Sequence, residues 1–237
     1  MTGANTPYSR HSDNGTPFPA ADGRRQSRSA KESGCRNSRI AMLKKALVAI
    51  LLLAAGGLQA QEMRLQPGDL LFYVDTGGMG AAVSASTGQY THVAMVAEVG
   101  DTVWILDATQ RHGVSRRPFL RRPESSEKPY PDVYRLSIPF DTAAVVTRAM
   151  NLVGLAYDNE FLPENGKMYC SELIAECYRD SDGKPLFEAH PMNWRDKEGN
   201  LPAYWVEHFK MLGTGIPEGV PGTNPTDMAR SPLLKRL

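Results

Sequence analysis

Hydrophobic and polar positions divide the chain into three stretches. Residues 1–41 are rich in Ser, Arg, Asn, Gly and Pro and carry almost no large aliphatic side chains. Such a segment cannot bury enough apolar surface to offset its ordering entropy, so it is read as disordered. At Met42 the pattern changes: Leu43-Lys44-Lys45 leads into an unbroken apolar run over 46–53, followed by the small-residue stretch Ala54-Ala55-Gly56-Gly57-Leu58-Gln59-Ala60. From 61 to 237 short apolar runs alternate with Gly, Pro, Asn and Asp punctuation, the pattern of one domain of about 175 residues.

Within that third stretch the elements follow from period and punctuation. Gln66-Pro67-Gly68-Asp69 is a turn, and a strand is predicted over 70–74. Gly77-Gly78-Met79-Gly80 opens a short helix over 81–86, closed by Gly88. Strands over 91–99 and 102–109 are joined through Gly100-Asp101, and another strand covers 133–138. Asp141 is the N-cap of a helix over 142–153 that stops at Gly154. A helix covers 170–179. Beyond Asp182-Gly183 the chain is punctuated by Pro and Gly and carries Phe187, Trp194, Tyr204, Trp205 and Phe209, with the segment 217–225 predicted to wrap the domain surface.

The stretch over 42–60 has a positive start, an apolar run too short to span a bilayer comfortably, and small residues before a cleavage point. A buried helix or a membrane anchor would share the apolar run, but no stop-transfer flank follows. It is read as a signal peptide ending near Ala60, with Met42 as the true start and 1–41 lying upstream of it. The protein is then expected to be exported, periplasmic or secreted, with no stable transmembrane anchor after processing. Residues 1–60 hold 9 of the 27 Lys and Arg and 3 of the 26 Asp and Glu. The remainder has 18 basic against 23 acidic residues, a net charge of −5, which gives no electrostatic case for nucleic acid. Arg116-Arg117 and Arg121-Arg122 are read as a solvated loop face.

Processing leaves two of the three cysteines, Cys170 and Cys177. Seven positions apart on one helix they are separated by about 10 Å, whereas a disulfide needs Cα atoms within roughly 7 Å. Both are therefore expected as free thiols, Cys177 as packing on the apolar face with Leu173 and Ile174. Cys170 stands at the helix start in Tyr169-Cys170-Ser171-Glu172-Leu173, where the helix dipole favours thiolate. With a histidine in reach it would be a nucleophile with its base.

The hairpin supplies that histidine and a partner for it. If Gly100-Asp101 is a two-residue turn, Val99 faces Thr102, and residue numbers of paired positions sum to 201. Ala94 then faces Asp107, and His92 faces Thr109, so His92 and Asp107 are diagonal neighbours on one face. Glu98 falls on the same face but roughly 20 Å along the strand, out of reach. A carboxylate on the imidazole fixes its tautomer and stabilises the imidazolium. Taken singly, Asp107 is a strand-end turn residue, His92 a satisfied core histidine and Cys170 a small buried residue. Their predicted adjacency favours the functional reading.

Pro67-Gly68-Asp69-Leu70-Leu71-Phe72, Tyr90-Thr91-His92-Val93-Ala94-Met95-Val96, Asp107-Ala108, Gly154-Leu155-Ala156-Tyr157-Asp158 and Tyr169-Cys170-Ser171-Glu172-Leu173, in this order, resemble the circularly permuted branch of the NlpC-like papain superfamily, the YiiX- and YaeF-like permuted amidases. The segment 217–225 is similar to that branch too. The resemblance implies an α+β, papain-like (NlpC-type) fold, circularly permuted, in which the cysteine helix packs on a small antiparallel, barrel-like sheet. It implies Cys170 as nucleophile, His92 as base and Asp107 as the acid, where glutamate is the more usual residue. Tyr157 matches a tyrosine near the oxyanion; read from this sequence alone it is equally a buried aromatic.

The expected activity is a cysteine hydrolase or amidase that acts through a thioester on an amide or ester bond of a cell-wall peptide or lipid. The alternative is a non-catalytic exported module that binds a peptide or lipid on the same fold. No Cys-x-x-Cys pair supports thiol redox chemistry. His112, His190 and His208 lack ligand spacing, so no metal is expected. No cofactor is expected, and Gly77-Gly78-Met79-Gly80 lacks the lysine of a phosphate-binding loop.

Overall fold

The computed structural model describes residues 64–120 and 130–237. The expectations for 1–41, for the signal peptide over 42–60 and for Arg121-Arg122 lie outside the described residues. In chain order the elements are β1 (Leu70–Tyr73), α1 (Gly78–Thr87), β2 (His92–Val99), β3 (Val103–Thr109), β4 (Gly113–Pro118), β5 (Asp132–Leu136), α2 (Thr142–Asn151), α3 (Cys170–Cys177), β6 (His190–Pro191), α4 (Ala203–Leu212), β7 (Pro221–Gly222), α5 (Pro225–Ala229) and β8 (Leu234–Arg236).

Six strands form one antiparallel sheet in the order β4-β3-β2-β1-β5-β8, and β6 pairs with β7 separately. The sheet is open, with β4 and β8 at its ends, rather than closed into a barrel. Leu70-Leu71-Phe72 and Val93-Ala94-Met95-Val96 are buried without alternation because both faces are covered. On one face Leu70, Phe72, Val93, Met95, Leu106 and Ala108 pack with Leu173, Ile174 and Cys177 of α3 and with Val145 and Ala149 of α2. On the other, Leu71, Ala94, Val96, Ile105 and Val133 form a smaller cluster. The mix of helices with an antiparallel sheet is the α+β fold expected.

Local chemistry fixes the ends of these elements. The turn before β1 has Gly68 at φ +87°, and Asp69 closes it by accepting the Gln66 N–H at 2.7 Å. The Arg135 fork of β5 grips the same carboxylate, Nε to Oδ1 at 2.6 Å and Nη2 to Oδ2 at 2.8 Å. Asp141 caps α2 by accepting the Ala144 N–H at 2.9 Å. α3 ends at Cys177 instead of reaching 179. Tyr178 leaves the helix with its ring fully buried beside Phe140 and Phe187 and its hydroxyl donating to the Gly68 carbonyl at 2.9 Å.

The β2–β3 register has two parts. Met95 faces Leu106 and Val96 faces Ile105, the predicted sum of 201; nearer the tip Glu98 faces Trp104 and Val99 faces Val103, a sum of 202. The loop has three residues, Gly100-Asp101-Thr102, and the irregularity between Val96 and Glu98 takes up the odd residue. A regular strand would put Glu98 on the face of His92. The bulge sends it to the other face, where its carboxylate meets Arg116 at 2.5 Å.

β4 replaces the expected basic loop. Its residues alternate across the sheet, so Arg116 stacks on Trp104 at 4.0 Å while Arg117 points to the opposite face. The C-terminal third holds α4, whose Trp205 and Phe209 join Phe161, Tyr169 and Trp194 in an aromatic cluster with Ala82 of α1. The period there is helical, but flanking prolines and glycines conceal it in the sequence.

Candidate active site

Cys170 is the first residue of α3, and Tyr169 precedes it in extended conformation. The Tyr169 N–H is accepted by Glu172 Oε2 at 3.3 Å, which secures the helix start. The Cys170 N–H belongs to the first turn and has no acceptor within the helix. Cys170 is buried yet lines a cavity of about 930 Å³. Ser171 donates to the Thr223 carbonyl at 3.0 Å, and the Thr223 N–H donates to the Tyr169 hydroxyl at 2.9 Å. These bonds tie the segment before α5 to the cysteine turn and make it a wall of the cavity.

His92 is the first residue of β2, at the end of the sheet. Its Nε2 lies 2.9 Å from Asp107 Oδ2, and Cys170 stands near enough to act on the charge of its ring. With Nε2 on the carboxylate, Nδ1 is the nitrogen left to the thiol. The three residues meet around the sheet end: Asp107 sits on the Ile105 face, the cysteine helix packs on the Leu106 face, and His92 bridges them. The structure thus brings together Cys170, His92 and Asp107, the three residues singled out in the sequence. The Tyr73 ring lies beside the imidazole at 5.5 Å.

Electrostatics follow from these contacts. Burial disfavours the charged imidazole, but Asp107 and Cys170 outweigh it and push His92 up to about 10. Burial likewise opposes ionisation of Asp107, which is wholly inaccessible to solvent. Its bonds to His92 and Arg117 prevail and hold it at about 2. Arg117 is the member of this group that the sequence reading missed. It donates from Nε to Asp107 Oδ1 at 3.1 Å and from Nη2 to Oδ2 at 2.5 Å. Strict alternation along β4 is the one signal that would have found it. Cys177 is fully buried, and burial pushes its thiol up to about 12.

Tyr157 also lines the cavity. Its hydroxyl donates to the Met79 sulfur at 3.7 Å, a weak acceptor. Burial and the nearby Cys170 raise it well above the ordinary tyrosine range, so it stays protonated. The following Asp158 is a structural residue. Its buried carboxylate accepts the Glu160 N–H at 2.9 Å and the Leu162 N–H at 2.8 Å, shaping a loop in which Phe161 takes φ +55° and enters the cavity wall. Met79, Val83, Phe161, Trp194 and Trp205 make one part of the cavity apolar, and Asp180, Lys184, Glu188 and His190 line another part.

A family model described as the permuted papain-like amidase enzyme, YaeF/YiiX, C92 family, matches residues 64–237. None of the curated proteins matches the chain. Among solved structures, the metalloprotein yiiX from Escherichia coli O157:H7 is similar, with a TM-score of 0.57 and 18% identity, over 73% of this chain and 96% of that one. That identity speaks for the fold alone. The name calls that protein a metalloprotein. In this chain, among the described residues, no three His, Cys, Asp or Glu side chains stand together as an ion site. Nor is any helix among the described residues long and apolar enough to cross a membrane.

Proposed function

The chain belongs to the permuted papain-like amidase family, and on that premise we propose that it is an exported cysteine hydrolase with Cys170, His92 and Asp107 as its triad. The observation that carries this is the 2.9 Å contact of His92 with the buried Asp107 carboxylate, beside the cavity that Cys170 lines at the start of α3. Cys170 Sγ, its proton already carried by His92 Nδ1, attacks the carbonyl carbon of an amide or ester as the thiolate. The carbonyl electron pair moves onto oxygen, where the Cys170 N–H and the Tyr157 hydroxyl stabilise it. Collapse expels the amine or alcohol, which receives the proton from His92 and leaves a thioester. His92 then takes a proton from water or another acceptor, whose attack releases the acyl group and restores the thiol.

The substrate is a cell-wall peptide or a lipid, met after export through a signal peptide ending near Ala60; the domain over 61–237 carries the activity. The apolar cavity wall supports an acyl portion of substantial size, and the polar lining suits an amide-bearing substrate. The test is turnover of an activated acyl ester by the wild type, Cys170→Ala and His92→Ala. Loss of turnover in both variants is expected. Retention in both would refute the proposed cysteine site, and a wild type without turnover would leave the chain as a peptide- or lipid-binding module. Mass spectrometry of Cys170 after exposure to a cell-envelope extract then separates peptidyl from lipid acyl adducts.

A further inference from the structure

We propose that Arg117 is a positioning residue of this site: its guanidinium, laid side-on against Asp107, fixes the carboxylate so that Oδ2 meets His92 Nε2. The consequence for turnover rests on the hydrolase reading above; the consequence for His92 rests on geometry alone. In the β3–β4 register Asp107 faces Ser115 and Ile105 faces Arg117. Arg117 is therefore the diagonal neighbour of Asp107 on the same face, the offset that lets a long side chain reach back along the strand. Its Nε and Nη2 take one carboxylate oxygen each, a fork that sets the plane of the carboxylate as well as its place. Ser115, directly opposite Asp107, leaves its buried hydroxyl without a partner. Among the described residues, the holding of Asp107 thus falls to Arg117 and His92.

An aspartate has two torsions between its backbone and its oxygens. Without the fork, rotation about the second would carry Oδ2 away from Nε2 while the backbone stays in place. Arg117 does not line the cavity, so it acts on the reaction only through Asp107. Its neighbour Arg116 pairs with Glu98 and Trp104 on the other face and serves as a control of equal charge.

The sign of one measurement separates positioning from a passive ion pair. The groups facing His92 are Asp107 on β3, Cys170 on α3 and Tyr73 on β1, with Arg117 one contact further out on β4. If Asp107 kept its place without Arg117, loss of a nearby cation would leave the carboxylate charge uncompensated and raise the His92 midpoint. If Arg117 positions Asp107, its loss swings the acid away and lowers that midpoint.

The experiment follows the titration of His92 by NMR in full-length chains with 15N-labelled histidine: wild type, Arg117→Gln, Arg117→Lys and Arg116→Gln. Arg117→Gln is expected to lower the His92 midpoint by about one pH unit or more. Arg117→Lys, which keeps the charge and loses the fork, should lower it by less, and Arg116→Gln should leave it unchanged. With an activated ester, Arg117→Gln should reduce kcat by about 10- to 100-fold, with KM unchanged. A His92 midpoint that is unmoved or raised in Arg117→Gln overturns the proposal. If that variant does not fold, an unmoved midpoint in Arg117→Lys does so instead. A wild type that turns nothing over would sink the hydrolase reading, and the titration would still judge Arg117.

Discussion

Replacing Asp107 with Asn tests the site with the smallest change in shape. The side chain is fully buried, accepts two bonds from Arg117 and meets Nε2 of His92 at 2.9 Å. Its carboxyl is held at about 2 against an ordinary 3.8, nearly two units, or roughly 2 kcal/mol in favour of the ionised, paired form. His92, pushed from 6.5 to about 10, gives roughly 5 kcal/mol, but that figure contains the Cys170 sulfur as well as Asp107. The two bracket the expected loss of folding stability, about 2–5 kcal/mol, measured by urea denaturation at neutral pH. The effect on chemistry is larger. An amide NH2 turned to Nε2 makes that nitrogen an acceptor and puts the ring proton on Nδ1, where it faces the thiol. The imidazole then cannot take the Cys170 proton. A fall in kcat/KM of about 10³–10⁴ is expected, the order found when a triad acid is replaced by its amide. Turnover within about threefold of wild type, with stability unchanged, would refute the reasoning and make Asp107 a bystander.

Iodoacetamide near neutral pH should alkylate Cys170 in the cavity and spare Cys177, whose thiol is buried and pushed up to about 12; equal labelling by peptide mass spectrometry would contradict the assignment. Tyr157→Phe should lower kcat by about 10- to 100-fold through loss of one oxyanion donor, with little change in KM in steady-state kinetics. Stability should fall on both sides of neutrality. The Asp107 contribution is complete above about 4 and is lost as pH falls through about 2; the His92 contribution is complete below about 6.5 and is lost as pH rises through about 10. Thermal melts across pH check this, and flat alkaline behaviour in wild type would argue against the His92–Asp107 pair. Gly113→Ala forces a side chain at φ +62° and sets a Cβ 2.2 Å from the Leu155 carbonyl oxygen. It should cost roughly 2 kcal/mol or more and displace the segment leading into Tyr157, lowering both the melting temperature and kcat.

The hairpin shows what a sequence can and cannot carry. The sequence places His92 and Asp107 on one face through a two-residue turn that the structure lacks; the three-residue loop alone would shift the register by one and part them, and the bulge at Ala97 cancels that shift. The bulge itself left no mark, since Ala97 fits a regular strand as well as an irregular one. Glu98 was therefore assigned the wrong face. β4 stayed hidden because two adjacent arginines read as solvated surface; their opposite faces become visible only once β3 supplies Asp107 on one side and Trp104 on the other. In the C-terminal third, Trp194, Trp205 and Phe209 are plainly core material. Which wall they build depends on Phe161, which reaches them through a loop that Asp158 shapes by backbone bonds no periodicity reveals.

The irregularity at Ala97 has a consequence for change over time. It divides the β2–β3 ribbon into a tip that tolerates additions or deletions and a base whose alignment is kept apart from them. A residue removed from Gly100-Asp101-Thr102 can be matched by loss of the bulge, restoring a straight ribbon with Met95 still opposite Leu106. A chain one residue shorter at this tip would thus keep the register that sets His92 against Asp107. The same tip is the place to graft a tag or a reporter without disturbing the chemistry at the other end.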